Sequence, residues 1–138
     1  MKIILTLDDN NGMMFNKRRQ SQDVVVRKKI AEITDGKKLW LCDYSRRQFQ
    51  DMELDFHVDE EFLGKAGEGE YCFVENRGIL EAAEKVEEIV IFRWNRRYPG
   101  DFHLDMLPQE HEFICISSEE FQGHSHDKIT MEVWRKER

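Results

Sequence analysis

Cysteine is scarce in this chain. Three residues, Cys42, Cys72 and Cys115, are spread over 138 positions. They are far apart and odd in number, and no CxxC pair occurs, which argues against a disulfide scaffold and a zinc ribbon. Each lies in an apolar stretch, so all three are expected to be buried free thiols in a reducing, cytoplasmic setting. No apolar run approaches the roughly 20 residues of a membrane span. The opening Met1-Lys2-Ile3-Ile4-Leu5-Thr6-Leu7 lacks the basic region and cleavage site of a secretory signal. Internal repeats, low-complexity tracts and linkers are also missing, so a single domain over 1–138 is expected. Hydrophobic residues at 40% and aromatics at 11% are too abundant for a disordered chain.

Positive charge is in short supply overall, with a net charge of −7, but it is unevenly placed. Residues 1–47 carry 11 basic and 6 acidic side chains, and residues 48–138 carry 10 and 22. An acidic domain does not suit bulk nucleic-acid binding, so nucleic acid is not the expected partner. The basic clusters near Lys17–Arg19 and Arg27–Lys29 read as solvated faces. Arg93-Trp94-Asn95-Arg96-Arg97-Tyr98 mixes basic and aromatic residues, a combination able to stack on a base or nucleotide.

Ile3 to Leu7 reads as a strand covered on both faces, ended by the turn-forming Asp8-Asp9-Asn10-Asn11-Gly12. Residues 13–20 read as an irregular loop. Ser21 is placed as N-cap, with Asp23 in the first turn of a helix whose stripe is Val26, Ile30 and Ile33. Asp35-Gly36 ends it. Leu39–Cys42 is a second strand, expected to pair in parallel with the first through a right-handed crossover. Ser45 then caps a short helix carrying Phe49 and Met52. Residues 51–70 are acidic and weakly patterned, with a short helix near 59–63. Tyr71–Val74 is a strand, Ile79, Leu80, Ala83 and Val86 form a helical stripe, and Glu88–Phe92 is another strand. Phe113–Ile116 and Ile129–Trp134 read as strands joined through Ser117–Asp127. The pattern predicts an α/β domain with a mostly parallel central sheet and antiparallel C-terminal strands.

The order of these elements, together with Leu7-Asp8-Asp9-Asn10-Asn11-Gly12, Lys38-Leu39-Trp40-Leu41-Cys42, Tyr98-Pro99-Gly100-Asp101-Phe102-His103-Leu104 and Ser117-Ser118-Glu119-Glu120-Phe121, resembles dihydrofolate reductase. The resemblance spans residues 1–50 and 71–138 in short strings. It implies a three-layer dihydrofolate-reductase-like domain and NADPH-dependent reduction of a pterin, folate or related ring, a small-molecule ligand. Asp23 would assist protonation of the ring, and Leu7, Met14, Phe15 and Asn16 would lie against it. Ser45, Arg46, Glu75 and Asn76 would border the cofactor. The chain departs from the family at this last place. Glu75-Asn76 stands where the family carries a Gly-Gly pair, and a carboxylate there repels a pyrophosphate. Cys42-Asp43 replaces a glycine and a basic residue, leaving Ser45, Arg46 and Arg47 to meet phosphate. These departures open a second reading, a ligand-binding or interaction module on the same fold without hydride transfer.

Gly123-His124-Ser125-His126-Asp127 superficially resembles the zinc motif of metallo-β-lactamase-fold hydrolases. Asp127 comes one position early, Lys128 replaces the last histidine, and too little chain follows for the remaining ligands. The string reads as a polar hairpin turn, and no metal is expected.

Overall fold

A computed structural model describes residues 1–137. In chain order the elements are β1 (Lys2–Leu7), β2 (Gly12–Phe15), β3 (Arg18–Arg19), α1 (Val24–Thr34), β4 (Leu39–Leu41), α2 (Asp43–Arg46), β5 (Phe56–Val58), α3 (Phe62–Lys65), β6 (Tyr71–Phe73), β7 (Glu88–Arg93), β8 (Phe102–His103), β9 (Phe113–Phe121) and β10 (Ile129–Lys136). Seven strands form one sheet in the order β5-β4-β6-β1-β7-β10-β9. Its pairs are parallel from β5 to β7, and β10 runs antiparallel to both β7 and β9. The fold is the expected α/β class with a mostly parallel centre.

Strand alternation sorts the core into two layers. Ile3, Leu5 and Leu7 of β1 and Ile89 and Ile91 of β7 face one side, where Phe62 of α3, Ile79, Val86 and Met13 of β2 cover them. Ile4, Val90 and Phe92 face the other side, under Val26 and Ile30 of α1. These residues are almost fully buried, and each contributes roughly 1.5–3 kcal/mol by leaving water. The helix α1 buries Val26, Ile30 and Thr34, one residue per turn. Among the described residues, no helix is long and apolar enough to cross a membrane.

Several local expectations are corrected. Residues 13–20 are not an irregular loop: β2 and β3 make a hairpin that joins β8 in a second, three-stranded sheet. Its two-residue turn places Asn16 and Lys17 at φ 54° and 62°, the left-handed pair that a tight hairpin requires. Lysine in that position, rather than glycine, hides the turn from inspection. Asp23, not Ser21, is the N-cap of α1, and its side chain accepts from Val25 N. Ser45 lies inside α2, whose N-cap is Cys42. Phe49 closes a 3-10 turn at 47–49, and Met52 lies beyond it. The 51–70 segment contributes β5 to the sheet beside β4. The 79–86 stripe forms a 3-10 helix over Leu80–Lys85, with Ile79 and Val86 buried at its flanks and Leu80 exposed. β1 and β4 are parallel but not neighbours, because β6 lies between them. β9 runs on to Phe121, which shortens the C-terminal hairpin connection, and Cys115 is exposed on it.

Candidate functional site at the C-terminal ends of the parallel strands

Open α/β sheets bind ligands beyond the carboxyl ends of their parallel strands. Here that rim consists of Asp8 after β1, Cys42 to Ser45 after β4, Val74 to Asn76 after β6 and Trp94 after β7. At this rim or packed against it lie five buried polar groups: Asp8, Ser45 and Glu75, with His126 on Trp94 and Asp23 beneath it. Burial of such groups is stable only with complete hydrogen bonding, and each of the three carboxylates has it.

Asp8 Oδ1 accepts from Asn10 N at 2.8 Å and Gly12 N at 2.7 Å. Its Oδ2 accepts from Gln20 Nε2 and Tyr98 N, both at 3.2 Å. The loop after β1 is thereby tied to the segment after β7. A Cβ at Gly12 would lie 2.9 Å from Asp8 Oδ1 and 2.6 Å from Gln20 Nε2, so a larger residue there displaces these side chains.

Asp23 is sealed beneath the connection between β9 and β10. Its Oδ1 accepts from Val25 N at 2.9 Å and His124 N at 3.0 Å. Its Oδ2 accepts from Ser125 N at 2.9 Å and Ser125 Oγ at 3.2 Å, and His126 Nδ1 lies 3.0 Å away. Burial pushes this carboxyl upward, but the donors from His124, His126, Ser125 and Val25 outweigh it and hold it well below the usual aspartate range. A proton relay to a ring near neutral pH needs the opposite shift.

His126 fills the space above Asp23. Its ring stacks on Trp94 with centroids 4.6 Å apart, and its Nε2 lies 3.0 Å from Ser21 Oγ and 2.9 Å from Tyr98 Oη. With Nδ1–H donated to the ionised Asp23, Nε2 is left as an acceptor.

Glu75, only 4% exposed, receives a two-pronged bond from Arg19, with Nε at 2.8 Å and Nη2 at 2.9 Å, and a third from Gln48 Nε2 at 3.1 Å. The Arg19 guanidinium also stacks over Tyr44, with its carbon 4.5 Å from the ring centroid. It thus crosses from the small sheet to the end of β6 and closes the rim there. Ser45 is fully buried, with Cys42 Sγ 3.5 Å from its hydroxyl. Arg46 lies over Phe56 at 3.9 Å and donates to Phe49 O at 3.1 Å. Asn76 Oδ1 accepts from Arg77 Nε at 3.1 Å. The four residues expected to border a dinucleotide therefore already have partners within the chain. Among them Glu75 is a buried carboxylate already paired with Arg19, and a carboxylate at such a place repels a pyrophosphate.

Of the residues expected against a ring, Leu7 and Met14 are buried in the core, whereas Phe15 and Asn16 are exposed. Phe15 and Asn16 border an open hollow of about 550 Å³, shared with Arg18, Arg19, Gln20, Tyr98 and Pro99. Arg18 has no ion pair among the described residues. Ser21 reads as an N-cap, Arg19 as part of a solvated face and His126 as part of a polar turn, and Gln20 carries no signal; the fold brings all four into the hydrogen-bond networks of Asp8, Asp23 and Glu75. The available signal was the polar string at 123–127, which the two final strands carry back over α1.

The fold is dihydrofolate-reductase-like, α/β with a mostly parallel central sheet. No protein-family model matches the sequence, and no curated protein does. Among solved structures, the chain is similar to dihydrofolate reductase from Enterococcus faecalis complexed with NADP(H) and RAB-propyl, with a TM-score of 0.69 over 99% of this chain and 96% of that one. Sequence identity is 10%, so the likeness is one of fold.

Proposed function

We propose that this protein is a ligand-binding module on the dihydrofolate reductase fold that does not transfer hydride. The observation that carries this reading is Asp23. Its carboxylate is held ionised by donors of its own chain, and it is covered by the 123–126 turn. The Arg19–Glu75 pair supports the same reading at the cofactor end. The ligand is a small anion bearing a ring, received in the hollow where Phe15 is 45% exposed beside Arg18. Phe15 and Tyr98 offer faces for stacking and Arg18 offers charge. The buried free thiols of Cys42 and Cys72 suit a reducing compartment, the cytoplasm.

The competing reading, a reductase acting on a pterin or folate with NADPH, draws on the fold and on the cofactor named for the structural neighbour. The two separate cleanly. NADPH titration followed by tryptophan quenching is expected to give no saturable change up to about millimolar cofactor, and dihydrofolate no NADPH consumption. Micromolar binding, roughly −8 kcal/mol, with dihydrofolate-dependent oxidation would overturn the proposal. A thermal-shift series with adenosine monophosphate as the ring-bearing anion is expected to stabilise the protein saturably, and Phe15→Ala and Arg18→Ala to abolish the shift.

A further inference from the structure

We propose that Ser21, His126 and Asp23 form a nucleophilic triad that hydrolyses acyl esters at the edge of the hollow. Three contacts give the argument its geometry. Ser21 Oγ lies 3.0 Å from His126 Nε2, and His126 Nδ1 lies 3.0 Å from Asp23 Oδ2. Asp23 is in turn fixed by the backbone N–H groups of Val25, His124 and Ser125. This is the order nucleophile, base, orienting carboxylate that activates a hydroxyl, and such a constellation is recognised by geometry rather than chain order.

The surroundings suit each role. His126 is 4% exposed and clamped flat against Trp94, so its ring has one orientation. Asp23 fixes the tautomer that leaves the Nε2 lone pair facing Ser21. Ser21 is half-buried and follows Gln20, which lines the hollow. Tyr98 lines the same hollow and brings its hydroxyl to 2.9 Å from Nε2. The lone pair takes one donor at a time. When Ser21 is that donor, the Tyr98 O–H is free to donate to a carbonyl oxygen held in the hollow. Arg18 at the wall, which has no ion pair among the described residues, selects an ester with negative charge on its acid or alcohol part.

The chemistry balances with water as co-reactant. Ser21 Oγ bonds the acyl carbon as the ester C–O bond breaks, and its proton passes to His126 Nε2 and on to the departing alcohol. Water then gives a proton to His126 and adds to the acyl carbon. The acyl–Oγ bond breaks, the proton returns to Ser21, and the carboxylic acid leaves. Asp23 positions the imidazole and touches no reacting atom.

The proposal shares its hollow with the ligand-binding reading, but its test uses reactive probes, so the two fail separately. A fluorophosphonate applied to the intact protein is expected to leave one adduct, mapped by peptide mass spectrometry to Ser21 and absent from Ser21→Ala and His126→Gln. Hydrolysis of p-nitrophenyl acetate is expected to fall on the order of a hundredfold or more in Ser21→Ala. Ser21 precedes the N-cap of α1, so this variant keeps the fold, which circular dichroism checks. Asp23→Asn is expected to lower kcat at unchanged KM in whatever fraction folds. No adduct at Ser21 after hours with millimolar probe would overturn the triad. So would esterase activity equal in Ser21→Ala and the parent.

Discussion

Replacing Asp23 by asparagine separates an anchoring carboxylate from one held ready for a ligand. A ligand-binding carboxylate is strained by its neighbours, and neutralising it commonly stabilises the fold at the expense of function. An anchoring one behaves in the opposite way. The amide oxygen of the introduced side chain can keep the place of Oδ1 and its bonds from Val25 N and His124 N, at 2.9 and 3.0 Å. The amide nitrogen must then take the place of Oδ2, where it meets three donors. The Ser125 hydroxyl can rotate to accept, and His126 can change tautomer. The Ser125 N–H, 2.9 Å from that position, can do neither. One backbone donor is orphaned, at about 1–3 kcal/mol, and the bonds that remain lose their charge assistance. A total of about 3 kcal/mol is expected from these two losses. With a urea slope of about 2 kcal/mol per molar, the midpoint moves down by about 1.5 M. The acid limb supplies a second signature. Asp23 has a folded pKa below its unfolded one, so its stabilisation is complete above about pH 5 and is lost as pH falls below the ordinary aspartate value of about 3.9. The variant lacks that component of the fall. A midpoint that rises or stays put would refute the anchoring argument.

Other expectations follow from the same rim. Arg19→Met leaves Glu75 buried without its cation and is expected to cost about 3–5 kcal/mol in chemical denaturation, whereas Arg19→Met with Glu75→Leu recovers most of that. A double variant no more stable than the single one would contradict this. Gly123→Ala places a Cβ 2.6 Å from Asp23 Oδ2 and 2.7 Å from Ile129 Cδ1, and a loss of about 1–3 kcal/mol is expected from thermal melts. Thiol titration of the native protein should modify Cys115 alone at a fast rate. Cys42 and Cys72 are buried, and burial pushes the Cys72 thiol up to about 12, so all three react quickly only after denaturation.

Apolar runs carried the fold in plain view. Ile3–Leu7, broken only by Thr6, and Ile89–Phe92 are apolar runs because both faces of their strands are covered, and Asp35 ends α1 in the left-handed conformation, at φ 46°, that a helix stop requires. What stayed hidden depended on tertiary neighbours. Nothing local tells that Met13 and Met14 extend a strand, since their turn relies on Lys17 accepting a positive φ. The helical spacing of Ile79, Leu80, Ala83 and Val86 is real, yet the segment tightens into a 3-10 helix. Asp105, distant in sequence, accepts the Ile79 and Leu80 N–H groups at its start. Position 23 stood out as an acidic residue at a helix start. The partner that gives it a role, His126, lies 103 residues away and looked like part of a turn.

The central place of β1 has a kinetic consequence. Lys2 pairs with Tyr71 on one side and with Glu88 on the other, so both seams of the middle strand close across half of the chain or more. Contacts of such long range slow folding toward milliseconds to seconds, because loop entropy must be overcome before they form. During synthesis at about 5–20 residues per second, β1 leaves the ribosome several seconds before β7 exists. For that interval the edge of β1 that β7 will pair is open. The nascent chain therefore offers the open edge of an apolar strand to chaperones and to other copies of itself.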